Sequence, residues 1–223
     1  MTTYANTGKT RTGLMMAAGE LFAEHGIDAV TVRQIAKTAG ESIGNIHYHF
    51  GGKDGLLQAV MDFVGQPWQN DPLGHFLAEH RSLLTTSEGQ TEVLRGMLEI
   101  FWSLLYSPER PAWCCTLGFQ ILQRDLAISR RTFDATIASC IKAFIDLYYA
   151  GSGDHDFERA YNWSTAITAP AVIDVLNRHT IVRLHPEGKP SAQYLTKLKE
   201  SWTRNALDLL GELRHHHRPT PRA

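Results

Sequence analysis

The stretch from Thr31 to Lys53 limits the possible folds of this chain more than any other segment. Thr31, with Gln34 three residues later, matches a capping box, in which a hydroxyl and an amide each satisfy a backbone N–H at a helix start. Apolar residues then recur at helical spacing until Gly40, where a glycine permits the left-handed backbone that ends a helix. The pattern predicts a short helix between Thr31 and Gly40.

A second short helix is predicted directly after the glycine. Ser42 can cap it, Ile46 and Phe50 form its apolar stripe, and the glycine pair 51–52 ends it. Two short helices joined at a glycine make a helix-turn-helix, whose second helix enters the DNA major groove. Packed helix pairs with a glycine turn also occur in all-α cores, but the polar face of the second helix favours DNA.

We predict that DNA contacts come from this second helix and its surroundings. Arg33 and Asn45 are the candidates for base edges, whereas His47, His49 and Lys53 are expected to meet phosphates. The predicted DNA-binding residues are Thr31, Arg33, Ser42, Ile43, Gly44, Asn45, His47, His49 and Lys53.

Two hydrophobic residues of the second helix carry separate expectations. Tyr48 is expected to pack inward, because Ile46 and Phe50 flank it in a small core. Ile43 either closes that core or touches a thymine methyl group in the major groove. We favour the core for Ile43, since it shares a helical stripe with Ile46.

The run from Leu14 to Leu57 resembles the DNA-binding domain of the TetR family of one-component transcriptional repressors. The matching pieces are LFAEHGIDAVTVRQIAKTAG, the pattern S-x-G-x-I-x-Y-H-F and GGKDGLL. Two positions depart from the family: His47 stands where a phosphate-binding tyrosine is usual, and Ile43 replaces a polar residue. The resemblance implies an all-α homodimer with a three-helix DNA-binding domain and a larger helical domain, about ten helices in all.

The net charge of the chain does not by itself indicate nucleic-acid binding. The net charge is −1, and the five basic residues within residues 1–60 are balanced by five acidic ones. Binding by one subunit should therefore be modest, and dimerisation should supplement it. Lys9 and Arg11 are expected in a polar leader that precedes a first helix ending at Gly26.

Composition indicates an ordinary globular protein, with 43% apolar and 20% charged residues. We find no apolar run of the roughly 20 residues that span a bilayer and no apolar signal-peptide core, so we expect no membrane partner. The three cysteines, two of them adjacent, do not form a secreted disulfide framework. We therefore expect a cytoplasmic protein in which Cys114, Cys115 and Cys140 are mainly buried hydrophobes, with a sensing role left open.

The spacing of apolar residues in the rest of the chain predicts amphipathic helices. We predict a DNA-binding domain over residues 1–58 and an effector-binding and dimerisation domain over 59–223, joined through a helix that starts near Lys53. Prolines at 67 and 72 break the pattern after that helix. The predicted helical segments are 73–84, 91–106, 111–126, 130–149, 155–178 and 191–214.

Two further sets of residues are predicted for the larger domain. Large side chains at helical spacing are usually core, yet apolar cavities between helices also bind ligands. The predicted ligand-binding residues are Phe101, Trp102, Trp113, Cys114, Tyr148 and Trp163. The predicted dimer-interface residues, on the two last long helices, are Ala169, Val172, Ile173, Leu176, Leu198, Trp202 and Leu209.

The sequence contains no organised catalytic or metal-binding pattern. We find no G-x-S-x-G, no Gly-rich phosphate loop, no H-E-x-x-H and no C-x-x-C. Asp71, His75 and Glu79 recur at spacing suited to one helix face, but a solvated polar face explains them as well. The histidines at 215–217 are interpreted as a disordered end. We expect no cofactor and no metal.

Together these patterns predict a ligand-responsive homodimeric repressor. A small molecule of unknown identity would bind the larger domain, favour a conformation with wrongly spaced recognition helices, and release a palindromic DNA operator. A helical enzyme and an oligomeric scaffold without DNA binding are the alternatives. The enzyme would need convergent acid–base groups, and the scaffold would not need the polar face of the second helix.

Overall fold

The computed structural model describes residues 2–122, 124, 137–187, 191 and 193–216. Within these ranges the chain forms helices and turns without a strand, which confirms the all-α prediction. Packing divides the chain into two compact units, the first formed by Met1–Pro67 with Pro108–Phe133 and the second by Trp68–Ser107 with Asp134–Ala223.

The helices are named here in chain order. They are α1 (Thr2–His25), α2 (Val32–Ala39), α3 (Ile43–Phe50), α4 (Lys53–Gly65), α5 (Pro72–Glu79), α6 (Ser87–Tyr106), α7 (Trp113–Leu122), α8 (Ser139–Ser152), α9 (Phe157–Leu176), α10 (Arg178–Leu184) and α11 (Tyr194–His216). Short 3-10 helices cover Gln66–Trp68 and Arg81–Thr85.

Helix α1 is the central helix of the first unit and is longer than predicted. It packs against α2, α4 and α7, and it ends at Gly26 as expected, where the glycine N–H donates to the Phe22 carbonyl at 2.9 Å. The prediction that Lys9 and Arg11 precede the first helix is wrong, because both lie within α1. Contacts with the helix-turn-helix explain the extension, since the Arg11 guanidinium lies 5.2 Å from the centre of the Phe50 ring.

Helix α7 packs in the first unit although it is distant in sequence. Arg110, just before it, donates to the Phe63 and Val64 carbonyls at the end of α4 and lies over the Phe63 ring. A cation at this position complements the negative end of the helix dipole. The predicted boundary between residues 58 and 59 lies inside α4, and that division into functional domains stays a prediction.

The second unit is built around an aromatic core. The Phe101 ring lies edge-on to Phe144 and 6.0 Å from Trp202, measured between ring centres. The Trp202 indole N–H donates to the Ile167 carbonyl at 2.6 Å, which ties α11 to α9.

The predicted helical segments correspond to these helices with some differences. Segment 73–84 is divided into α5 and a 3-10 helix, and segment 155–178 corresponds to α9. Helix α10 was not predicted, because its short apolar pattern merges with the end of α9. Segments 111–126 and 130–149 extend beyond the described residues.

One buried carboxylate joins three helices of the second unit. Asp174 on α9 is 6% exposed and accepts hydrogen bonds from the Tyr106 hydroxyl of α6, at 2.8 Å, and from the Tyr194 hydroxyl of α11. A buried carboxylate is tolerated only when donors satisfy it, and here two hydroxyls do so.

We expect Asp174→Ala to lower the free energy of unfolding by about 3 kcal/mol, because two tyrosine hydroxyls lose their charged acceptor. Asp174→Asn should cost less, since an amide oxygen still accepts. Urea unfolding of the full chain measures both changes. The control is Asp208→Ala on α11, an exposed position expected to change stability by less than about 0.5 kcal/mol. Equal effects at positions 174 and 208 would contradict the role of Asp174.

Candidate nucleic-acid interface

The turn between α2 and α3 has the geometry that the sequence predicts. The Thr31 hydroxyl accepts from the Gln34 N–H, and the Gln34 side-chain oxygen accepts from the Thr31 N–H at 2.8 Å, which completes the capping box. Gly40 adopts φ 67° and ψ 28°, the left-handed conformation that glycine reaches without steric cost. The chain therefore reverses sharply after α2.

Helix α3 is held at both ends and at one buried side chain. The Ser42 hydroxyl accepts from the Asn45 N–H at 3.2 Å, and the Gly51 N–H donates to the His47 carbonyl at 2.9 Å. Ile46 is completely buried in the core of the first unit. Because these contacts hold the inner side of α3, its other side is available to a partner.

The outer side of α3 carries Ile43, Gly44, His47 and Tyr48, which are exposed. Their spacing of one and four residues places them on a single helical face. Tyr48 is 79% exposed, so the prediction that it packs inward is wrong. The reason is helical geometry, because two residues at about 100° each carry Tyr48 to the side opposite Ile46. A helical wheel drawn from Ile46 would have found this residue.

Ile43 lies on the surface instead of closing the core. Its side chain is 38% exposed and is not part of the buried cluster around Ile46. Of the two alternatives for Ile43, the structure therefore favours the surface position. Gly44 beside it is not required by internal packing, because an added Cβ would meet only the Ser42 hydroxyl oxygen at 3.6 Å. The glycine leaves space on the outside of α3.

Lys53 is brought next to α3 by a close helix contact. A Cβ on Gly55 would lie 1.8 Å from the Phe50 carbonyl oxygen, so only glycine lets the first turn of α4 approach the end of α3.

The other predicted residues lie on α2 and α3. Arg33 is exposed on α2, while Asn45 and His49 flank the outer face of α3. The nine predicted residues lie on α2, on α3 and at the starts of α2, α3 and α4, and the Thr31 and Ser42 hydroxyls act as helix caps.

Glu41, which the sequence analysis did not select, bridges α1 and α3. The Glu41 carboxylate accepts a hydrogen bond from the Thr10 hydroxyl of α1 at 2.8 Å and another from the Asn45 amide of α3 at 2.7 Å. Local sequence carries no signal for this bridge, since Thr10 is 31 residues away.

The predicted ligand-binding residues divide between the two units. Trp113 and Cys114 pack in the first unit, where the Trp113 ring lies 6.1 Å from Phe63. The others lie in the second unit, and most of them are buried in its aromatic core. The structure therefore places the six residues in two separate cores, and ligand binding by any of them stays a prediction.

The second unit contains an open cavity of about 550 Å³ between α5 and α8. None of the predicted ligand-binding residues lines it. Its walls combine apolar side chains with charged and polar ones, and the lining residues are Gly74, Leu77, Ala78, Arg81, Leu84, Lys142, Asp146, Tyr149, Ala150 and His155.

The predicted dimer-interface residues have unequal exposure. Ile173 is 54% exposed, and Ala169, Val172, Leu176, Leu198 and Leu209 are half-buried. Only 2% of Trp202 is exposed within a single chain, where its indole packs between α9 and α11. The dimer interface itself stays a prediction.

Two of the three cysteines are buried among apolar groups. Burial raises the pKa of the Cys114 thiol to about 11 and that of Cys140 to about 12. The thiolate is the reactive form of cysteine, so both groups are poor nucleophiles at neutral pH. Cys115 is half-buried.

The candidate metal ligands take structural roles instead. Asp71 caps α5 by accepting from the Gly74 N–H at 3.0 Å, and the His75 ring contacts the Asp71 carbonyl. Among the described residues, no three His, Cys, Asp or Glu side chains meet in a metal-binding arrangement. The histidines at 215–217 lie outside the described side chains. None of the described helices has the length and hydrophobicity of a membrane span.

Comparison with known proteins agrees with this geometry. Residues 14–60 match the model of the bacterial regulatory proteins of the tetR family. The HTH-type transcriptional repressor AcnR of Corynebacterium glutamicum is 33% identical over 104 residues, which cover 47% of this chain and 45% of AcnR. The chain spans about half the length, or less, of the curated relatives it matches.

Solved structures show the same fold over most of the chain. A putative fatty acid metabolism regulator of Clostridium perfringens covers 88% of this chain, with 97% of its own length, at 17% identity and a TM-score of 0.58. A tetR-family regulatory protein from Rhodococcus RHA1 covers 90% of this chain, with 96% of its own length, at 20% identity and a TM-score of 0.59. Residues 14–60 of this chain are thus similar to the helix-turn-helix domain of the TetR family of bacterial regulatory proteins.

Proposed function

We propose that this protein is a DNA-binding transcriptional regulator, and specifically a ligand-responsive homodimeric repressor of a palindromic operator. One observation carries the proposal. Helix α3 is fixed from inside by Ile46 and capped at its start, while its opposite face presents an exposed surface next to Lys53. A helix held in this way is suited to enter a major groove as a rigid body.

The family match and the names of the relatives support a regulator over the alternatives. The matched proteins are named as transcriptional repressors or regulators, and the match covers the helix-turn-helix. An enzyme would need convergent catalytic groups, and a scaffold would not need the exposed face of α3. A regulator of this kind acts in the cytoplasm, where its DNA is found.

We infer dimerisation because the first 60 residues carry no net positive charge. Five basic and five acidic residues in the first 60 positions supply little attraction to phosphates, so two linked copies are needed for tight binding. Helix α9 offers an apolar surface for a second copy. The exposed Phe157 and Tyr161 rings stack on each other near the start of α9, and Ile173 is exposed further along this helix.

The second unit would bind the effector. Its open cavity between α5 and α8 has a volume within the usual range of ligand sites, about 300–1,000 Å³. An effector that binds the DNA-free conformation more tightly releases the operator, and by linkage the operator weakens effector binding by the same factor.

The DNA-binding part of the proposal is tested with Lys53→Ala and DNA that flanks the gene of this protein. The wild type should bind a fragment of this DNA specifically. Lys53→Ala should bind every sequence more weakly and lower the slope of log affinity against log salt by about one, because one phosphate contact is lost. Fluorescence anisotropy at several salt concentrations measures both.

Arg95→Ala is the matched control, because Arg95 is an exposed cation on α6 in the second unit and does not line the open cavity. It should leave affinity and salt slope unchanged. Absence of DNA binding by the wild type would refute the proposed function, and an altered sequence preference in Lys53→Ala would refute the phosphate contact.

The dimer is tested with Ile173→Glu, which places a charge on the exposed apolar surface of α9 without disturbing the core. This variant should sediment as a folded monomer and lose most of its operator affinity, because two recognition helices about 34–36 Å apart, or a multiple of this, must bind together. Ser103→Glu, at an exposed position on α6, should remain a dimer. A folded Ile173→Glu monomer with wild-type affinity would overturn the requirement for a dimer.

A further inference from the structure

Glu41 links the start of the recognition helix to the first helix of the protein. One carboxylate oxygen accepts from the Thr10 hydroxyl at 2.8 Å, and the other accepts from the side-chain amide of Asn45 at 2.7 Å. The bridge is partly buried. It therefore restricts the rotation of the Asn45 side chain, which a solvated asparagine would retain.

The chemistry of the bridge determines which way the Asn45 amide faces. A carboxylate accepts hydrogen bonds and does not donate them, so the amide nitrogen must point at Glu41. This contact uses one of the two amide N–H groups. When Glu41 takes the N–H that lies trans to the amide oxygen, the N–H that lies cis to this oxygen remains, and the two form a donor next to an acceptor. That edge is complementary to adenine, whose major-groove edge presents the N7 acceptor beside the N6 donor.

Asn45 stands where such an edge would be used. It is the third residue of α3, and the N-terminal residues of a recognition helix are those that meet base edges. Its backbone is fixed as well, because its N–H donates to the Ser42 hydroxyl. Backbone and side chain are thus both set before any DNA arrives, which lowers the entropy lost on binding.

We infer that Glu41 is a positioning residue that orients Asn45 to read an adenine in each half of the operator. This inference rests on the proposed DNA-binding function. A merely structural role explains the carboxylate less well. The backbone of Glu41 already ends α2 through its N–H bond to the Ala36 carbonyl at 2.8 Å, and this bond does not need the side chain. A negative charge beside a phosphate-facing helix also weakens DNA binding in general, and a gain in specificity would offset this cost.

The test uses the full chain and a library of DNA duplexes with random positions. Sequences bound by the wild type define the half-site, and anisotropy titrations with each base pair at each position give the preferences. The wild type should prefer adenine at one position per half-site by roughly tenfold to a hundredfold. Glu41→Ala and Asn45→Ala should each lose this preference at the same position. The double variant should show no further loss, because the two residues act together.

Glu41→Gln separates orientation from charge. Glutamine can accept from Asn45 and donate to the Thr10 hydroxyl, so this variant should keep the adenine preference while binding all DNA more tightly. Thr10→Val, which removes only the outer hydrogen bond, should reduce the preference partly. Thermal unfolding of each variant verifies that the first unit remains folded.

The outcomes distinguish this inference from the proposed function. If the wild type selects no sequence from the library, the proposed function fails. If the wild type selects a half-site and Glu41→Ala retains every base preference, DNA binding stands and the role of Glu41 is refuted. The role is also refuted if Glu41→Ala changes a preference at a position that Asn45→Ala leaves unchanged, because Glu41 would then contact DNA itself.

Discussion

The burial of Ile46 is the contact on which the candidate interface depends. Its side chain lies in the core of the first unit, and α3 packs there against α1, α2 and α4. A helix of eight residues is too short to be stable alone, since isolated helices need about 12–15 residues. Tertiary packing therefore holds α3 in shape and determines which of its faces is exposed.

Glycines allow this packing where other residues would collide or strain the backbone. Gly40 supplies the left-handed turn between α2 and α3, and Gly55 lets α4 approach the Phe50 carbonyl. The second approach places Lys53 beside α3, so a steric feature of the backbone positions a charge. Gly44 differs from both, because a Cβ there would meet only the Ser42 hydroxyl oxygen, at an ordinary contact distance of 3.6 Å.

Polar groups inside each unit determine further details of the arrangement. In the second unit, Asp174 joins three helices through two tyrosine hydroxyls. In the first unit, Glu41 joins α1 to α3, and Arg110 joins α7 to the end of α4. Each of these groups would be costly to bury without its partners, so each favours one packing of the helices over others.

The sequence alone determined the helix-turn-helix, because capping boxes, helix-ending glycines and apolar spacing are local signals that act within four or five residues. The bounds of α2 and α3 follow from them. Only the tertiary structure decided that Ile43 faces outward, that Trp202 is buried within one chain, and that α7 packs with the first unit. It also revealed the bridge from Thr10 through Glu41 to Asn45. These features depend on contacts between distant residues, about which local periodicity carries no information.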